Sequence, residues 1–373
     1  MQPLFVFCAD LQARETAYKS VRELRGDDLF ALQQVVQVAN KLKVPLILGG
    51  DQVDTPAISD EHVILLRGLL SLLKRVYFVN GNHEKGFQRF TLEGGPAQVA
   101  INLETGWDGP IMLGKHTIVG YNWRTRRQWE EDIAAGLIKP ADICILHGFA
   151  DQAVETIRAV DDKPLCDFDL NWFAGKYKLV LMGDIHKHWV DVRGGTTFVY
   201  PGSMWMHRLG EDEKKYYIIV FDNLSFKVCE LKCRPFKQAS IDSVKDLEEV
   251  TKWVDEVTKA AEADPDKTMM SYMGKKLPRL HLTITANDHN IRTKIDLLKQ
   301  KAFIFEKLEY AMEQDIANKQ QTSAEKLDLQ TAMYKILDIK SDKDKKVASL
   351  IIDSLGSDAN ATLDKLKTVL GVK

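Results

Sequence analysis

Short apolar runs, each released into a polar cluster, alternate along the first part of this chain with stretches whose apolar positions recur at helical spacing. Leu4 to Cys8 reads as a strand. Asp27 or Asp28 can cap a helix that carries Leu29, Leu32, Val35, Val36 and Ala39 on one face. Pro45 to Leu48 is the next strand, Val63, Leu66, Leu70 and Leu73 stripe a second helix, and Val76 to Val79 is strand again. Alternation of this kind predicts an α/β fold with parallel strands. Farther on the strands crowd together: Thr117 to Gly120, Ile143 to Leu146, Leu179 to Met182, Thr197 to Tyr200, Tyr216 to Phe221 and Phe226 to Leu231. That crowding predicts a two-sheet α/β sandwich rather than one doubly wound sheet.

The pattern changes near Arg234-Pro235. Ser243 to Ala261 predicts an amphipathic helix through Val244, Leu247, Val250, Val254 and Val257, ended by Asp264-Pro265-Asp266. Leu280 to Thr285 alternates as a half-buried strand, Ile291 to Leu298 is helical, and Phe303 to Leu308 is strand-like. A polar stretch, Asn318 to Gln321, leads to a capping box at Thr322-Ser323-Ala324-Glu325. Three short apolar stripes follow: Leu329/Met333/Ile336/Leu337, Val347/Leu350/Ile351/Leu355 and Leu363/Leu366/Leu370. The expected organisation is a sandwich core over 1–235, a small α+β cap over 236–317 and a helical module over 318–373. Three short striped helices bury little by themselves. They either pack on their own body or dock a partner helix.

Composition narrows the function classes. With 51 basic and 53 acidic residues the net charge is −2, so any nucleic-acid site must be a local patch. The five cysteines are scattered and odd in number, which fits a reduced, intracellular protein. Cys229 and Cys233 lack a second Cys or His pair nearby, so edge packing explains them better than a metal. The opening apolar run is too short for a signal sequence, and Val63 to Val79 is broken by Arg67, Lys74 and Arg75. A cytoplasmic location is expected.

The chemistry lies at the strand exits. Gly50-Asp51-Gln52-Val53-Asp54, Gly81-Asn82-His83-Glu84 and Gly183-Asp184-Ile185-His186-Lys187-His188 each follow a strand-type run. Asp10 stands upstream and His147 between. Taken singly, each is explained as a turn former, a helix cap or a satisfied core histidine. Together they offer the oxygen and imidazole donors of a two-cation site, with a carboxylate able to bridge. His83 beside Asn82 is placed to act as a general acid.

These residues also carry a family resemblance. Asp10-x-Gln12, Gly50-Asp51-x-x-Asp54, Gly81-Asn82-His83-Glu84, His147 and Gly183-Asp184-x-His186 resemble the calcineurin-like metallophosphoesterases. Leu181 to Lys187, reading Leu-Met-Gly-Asp-Ile-His-Lys, and Tyr200-Pro201-Gly202-Ser203 are similar to SbcD-type DNA repair nucleases, nearest to phage recombination endonuclease subunits. The resemblance implies a first metal on Asp10, Asp51 and His186, with Gln12 in the remaining ligand place. It implies a second metal on Asp51, Asn82, His147 and Asp184. Asp51 would bridge, His83 would protonate the departing oxygen, and Asp54 would orient. Manganese is the implied metal, with magnesium also suited. The implied partners are DNA, an SbcC-type coiled-coil ATPase reached through the C-terminal helices, and a second copy of the chain.

Two departures stand out. Gln12 replaces the family's usual His, and an amide is a poorer ligand, so a weaker first site is expected. Asp184 replaces another usual His, which manganese or magnesium tolerates well. His188 is a further ligand candidate or a surface residue. Tyr121 to Trp129 interleaves aromatics with Arg124, Arg126 and Arg127; with Trp123 these can contact phosphates and bases, or face Glu130, Glu131 and Asp132 instead. Arg14, Lys85 and Arg208 are further phosphate candidates. Three functions remain open: a DNA nuclease, a phosphatase or phosphodiesterase acting on a small molecule or phosphoprotein, and a catalytically weak scaffold tethering the ATPase to DNA.

Overall fold

The computed structural model describes residues 1–14, 26–55, 58–84, 99–106, 109–156, 166–207, 211, 213–264, 278–286 and 288–308. The C-terminal helices expected over 322–373, and the candidates Lys85 and Arg208, lie outside the described residues. The chain runs β1 (Pro3–Cys8), α1 (Asp27–Leu42), β2 (Leu46–Leu48), α2 (Asp60–Leu70), β3 (Val76–Phe78), β4 (Ile101–Asn102), β5 (Ile111–Leu113), β6 (His116–Tyr121), α3 (Arg126–Ala134), β7 (Ile143–His147), β8 (Leu179–Gly183), β9 (Trp189–Arg193), β10 (Thr196–Tyr200), β11 (Lys215–Phe221) and β12 (Phe226–Leu231). It continues through β13 (Phe236–Ile241), α4 (Val244–Ala263), β14 (Arg279–Ile284), α5 (His289–Leu298) and β15 (Phe303–Leu308).

Two six-stranded sheets form the sandwich. The first has the order β12-β11-β1-β2-β3-β4, the second β5-β6-β7-β8-β10-β9. The β1-β2-β3-β4 and β6-β7-β8-β10 ladders are parallel, while β11 and β12 in the first sheet and the edge strands β5 and β9 in the second pair antiparallel. The period of two decides which layer each side chain enters. Phe5 and Phe7 of β1, Ile47 of β2, and Ile143 and Ile145 of β7 meet in the central layer. Val6, Cys8, Leu46 and Leu48 face outward, under Leu32, Val35, Val36 and Ala39 of α1 and Leu66 and Leu70 of α2. Strands buried on both faces need unbroken apolar runs, which is what the sequence shows. The outer face of the second sheet is closed by Trp129, Phe168 and Phe173, packed edge to face, with Tyr200 buried in the same cluster.

Details differ from the sequence reading. Neither Asp27 nor Asp28 caps α1; Gly26 does, at φ 84°. Both carboxylates are instead buried and committed elsewhere, Asp27 to Arg234 at 2.8 Å and Asp28 to His62 at 2.6 Å. Helix α2 ends at Leu70, and Leu73 packs on the same core from the turn beyond. Strands β4, β5, β9 and β13 have no counterpart in the sequence reading, because they are short or edge strands without a clean apolar alternation.

Residues 236–308 add a three-stranded parallel sheet, β13-β14-β15. Leu247, Val250 and Val254 of α4 and Ile291, Ile295 and Leu298 of α5 cover its face at Leu280, Leu282 and Ile284. Ser243 caps α4 in a reciprocal box with Asp246. Phe303 joins the outer core of the first sandwich sheet, and Arg279 donates to the Met206 carbonyl at 3.2 Å. No helix among the described residues is long and apolar enough to cross a membrane.

Candidate metal centre

Parallel strands deliver their next residues to one edge, and the site is built there from both sheets. The first sheet brings Asp10 after β1, Asp51 after β2 and Asn82 after β3. The second brings His147 as the last residue of β7, in the same alternation as Ile143 and Ile145, so it points between the sheets. Asp184 and His186 follow β8. Close approach requires Gly183: a Cβ there would lie 2.2 Å from the Gly49 carbonyl. At Gly81 it would lie 2.0 Å from an Asp51 carboxylate oxygen.

Asp10, Asp51 and His147 are all buried, and one donor atom from each lies within 4.8 Å of the others. The Asp184 N–H donates to both Asp10 oxygens at 2.9 and 3.1 Å. His147 Nδ1 bonds the Gly49 carbonyl at 2.8 Å, so it carries the proton and leaves Nε2 as the donor atom. That Nε2 lies 3.4 Å from Asp51 Oδ1 and 3.6 Å from Asp184 Oδ1. His186 Nδ1 is bonded in turn to Glu211 Oε1 at 2.6 Å, leaving its Nε2 free for a ligand role.

The donor set fits divalent cations. Gln12 Oε1 is buried without a hydrogen-bond partner, while its Nε2 lies 3.4 Å from Asp51 Oδ2. The Asn82 amide lies 3.1 and 3.2 Å from the two Asp51 oxygens. With its nitrogen turned inward it donates to both; with its oxygen inward the contact calls for a cation between. Burial, joined by the Asp51 and Asp184 charges, drives the Asp10 carboxyl up to about 7 against the pull of His147 and His186. Burial also raises Asp51, but His147 and His83 outweigh it and hold that carboxyl at about 2. Burial opposes charge on His147, yet Asp51, Asp184 and Asp10 push its pKa well above the ordinary value. Crowded carboxylates leaning on imidazole for positive charge are what a bound cation would relieve.

His83 is held from two sides. Its N–H donates to Asp51 Oδ1 at 3.1 Å, and its Nδ1 bonds the Asp54 carbonyl at 2.6 Å. Nε2 is thereby left 3.8 Å from Asp51 Oδ2, and the side chain keeps 24% exposure. The Asp54 carboxylate bonds Arg14 at 3.1 Å and His207 at 3.2 Å. His188 bonds the Tyr200 carbonyl at 2.8 Å and lies against Tyr216; it is not one of the three converging donors.

Among the described residues, the candidates for DNA contact have carboxylate partners. Arg124 pairs with Glu104 and with Asp132, the latter at 2.6 Å. Arg126 pairs with Asp151 at 2.9 Å and stacks over Trp172. Arg127 pairs with Glu131 at 2.8 Å, and Trp123 donates to Asp167 at 3.1 Å. Four further residues belong to the site. Glu84, buried, accepts from the backbone of Asp51, Val53 and Gly81 at 2.6–3.0 Å and so ties two ligand loops together. Its place in Gly81-Asn82-His83-Glu84 was a usable signal. Glu211, Lys215 and His207 had none, since the run Gly210-Glu211-Asp212-Glu213-Lys214-Lys215 looks like a solvated loop.

Residues 3–188 match the calcineurin-like phosphoesterase family. No curated protein matches the sequence significantly. Among solved structures, the chain is similar to an archaeal phosphodiesterase, at 11% identity over 61% of this chain and 99% of that one, with a TM-score of 0.32. It is similar to a putative 5'-nucleotidase from Staphylococcus aureus, at 12% identity over 67% of this chain and 58% of that one, with a TM-score of 0.38. It is also similar to phosphopantetheinyl hydrolase from Mycobacterium tuberculosis, at 16% identity over 56% and 93%, with a TM-score of 0.33.

Proposed function

Starting from a chain that carries a calcineurin-like metallophosphoesterase domain over residues 3–188, we propose that it is a manganese-dependent DNA nuclease working with an SbcC-type coiled-coil ATPase. The observation that carries the reading is the convergence of buried Asp10, Asp51 and His147 beside an oriented, part-exposed His83. The family implies metal-dependent phosphoester hydrolysis. Support for DNA as the substrate comes from Leu181 to Lys187 and Tyr200 to Ser203, which are similar to SbcD-type nucleases, and from the sheet added after residue 235.

One cation would be held by Asp10, Gln12, Asp51 and His186, and another by Asp51, Asn82, His147 and Asp184. When bound, such a pair supplies positive charge to the phosphoryl group and acidifies water. The chain's own residues do the rest. The Asp54 carbonyl fixes the His83 ring through Nδ1, so a proton leaves from Nε2 toward the departing oxygen. Glu84 keeps the Asp51 and Asn82 loops in register. His147, braced on Gly49, turns its lone pair inward.

A second reading is hydrolysis of a smaller phosphoester. It is favoured by the carboxylate pairing of Arg124, Arg126 and Arg127, which occupies the cations offered for DNA. The test uses the full chain with Mn2+ on linear duplex DNA, single-stranded DNA, a bis-aryl phosphate and an aryl monophosphate. Manganese-dependent DNA cleavage, lowered by about 10²–10⁴-fold in His83→Ala at unchanged metal content, is the expected result. Hydrolysis confined to the aryl esters would favour the second reading. Metal uptake without hydrolysis of any substrate would leave the scaffold. The ATPase partnership predicts co-purification that is lost when residues after about 320 are deleted.

A further inference from the structure

We propose that Glu211 and Lys215 are positioning residues for His186, and that they strengthen the half of the metal centre that Gln12 leaves weak. The proposal rests on the reading above, that this cluster holds divalent cations.

The two imidazoles of the centre are braced differently. His147 gives its Nδ1 to a neutral acceptor, the Gly49 carbonyl. His186 gives its Nδ1 to a carboxylate, Glu211 Oε1, at 2.6 Å. A carboxylate behind a ligating imidazole fixes its tautomer and makes its other nitrogen a stronger donor than a carbonyl does. The second oxygen of Glu211 is fully engaged. It accepts from Lys215 Nζ at 2.7 Å, Ser203 Oγ at 3.0 Å and the His207 N–H at 3.0 Å. Lys215 Nζ also donates to Ser203 Oγ at 2.8 Å. The Glu211 and Lys215 side chains are only 5% and 1% exposed.

This is a costly construction for a loop tie. Two buried charges lose their hydration, and an apolar pair of similar volume would hold the fold as well or better. What the charges add is a carboxylate held against His186 Nδ1 by its contacts to Lys215, Ser203 and the His207 N–H. Lys215 opens β11, which runs antiparallel to β1 with Ile218 opposite Phe7, so Lys215 stands at the end of the sheet where β1 releases Asp10. Asp10 itself lies within electrostatic reach of the His186 ring. The charge-backed imidazole therefore serves the same half-site as Gln12, whose amide oxygen is a weaker donor than imidazole. Each half as assigned has two carboxylates, one amide and one imidazole, and the carboxylate-backed imidazole stands in the half where Gln12 replaces the family's usual histidine.

The test is calorimetric titration of Mn2+ into the full chain and its variants, with metal-free melting recorded for each. The unmodified chain is expected to bind two ions, one more weakly. Glu211→Gln should weaken that weaker ion about 10–100-fold and leave the tighter one unchanged. Glu211→Gln/Lys215→Met, which removes both buried charges, should melt near the parent and show the same single-site loss. Adding Gln12→His to Glu211→Gln should restore the affinity, which a structural tie would not do. A double variant that binds both ions at parental affinity overturns the proposal and leaves the two-metal reading standing. A parent chain that binds no divalent ion sinks the two-metal reading first, and the proposal with it. If the Glu211 variants do not fold, nitrogen-15 spectra of the unmodified chain with Zn2+ decide: a proton kept on His186 Nδ1 with coordination at Nε2 supports the proposal, and coordination at Nδ1 overturns it.

Discussion

The metal-bearing edge of the sandwich and the small sheet of residues 236–308 use the same parts, parallel strands covered by helices, but they treat the residue after the strand in opposite ways. At the edge the strands release non-glycine residues into left-handed backbone: Asp10 at φ 53°, Gln12 at 42°, Asp51 at 50° and Asp184 at 106°. In the small sheet no described non-glycine residue has positive φ. Its helices start instead on ordinary capping geometry, Ser243 before α4 and Asp288 before α5. Strained residues of this kind cost about 1–3 kcal/mol each and persist where the surroundings over-determine them. Here the surroundings are the central apolar layer and a lacing of backbone bonds, Asp10 to Gly50 at 3.1 Å and Gln12 to Asp51 at 2.7 Å. The small sheet gains its stability locally; the edge gives stability up to hold carboxylates together.

The contrast can be broken at several points. Asp51→Ala should have the largest effect: loss of both metals and of cleavage beyond detection, because Asp51 is the only donor assigned to both ions. Metal analysis and phosphodiester assays check this, and retention of one full ion equivalent would show that Asp51 is not the bridge. Arg234→Met should come next. It strands the buried Asp27 carboxylate, now bonded at 2.8–2.9 Å, and should cost about 3–5 kcal/mol in denaturant unfolding while metal uptake by the folded fraction stays parental.

Asp184→Gly should move stability the other way. Glycine accepts φ 106° without penalty, so the metal-free chain should gain about 1–3 kcal/mol while binding metal more weakly. A metal-free variant no more stable than its parent would show that the edge is not strained there. The smallest effect is expected at His281 in the small sheet. Its ring stacks on Phe305 at 4.7 Å beside Arg279, and burial, then Arg279, push its pKa down to about 4. The folded chain thus binds fewer protons than the unfolded chain, whose histidine titrates near about 6.5. This contribution is full above that value and is lost as pH falls from there toward 4. Proton spectra should show His281 still neutral at pH 5.5, and His281→Phe should flatten that part of the stability profile.

What the sequence determined by itself is whatever depends on local pattern. Val6 and Cys8 against Phe5 and Phe7 gave both faces of a buried strand, and Ser243 with Leu247, Val250 and Val254 gave a capped amphipathic helix. Gly-Asp, Gly-Asn-His-Glu and Gly-Asp-x-His after apolar runs placed donors at strand ends, because a parallel sheet brings those ends to one edge. Only the tertiary structure decided the pairings across distance. It sent Asp27 and Asp28 into Arg234 and His62 rather than onto a helix end. It gave Arg124 and Arg126 carboxylate partners from remote segments. It also turned Glu211 and Lys215 inward behind His186. The physical reason is the same in each case. A charged side chain in a polar run has the same local pattern whether water or a buried partner receives it, and only the packed chain supplies the partner.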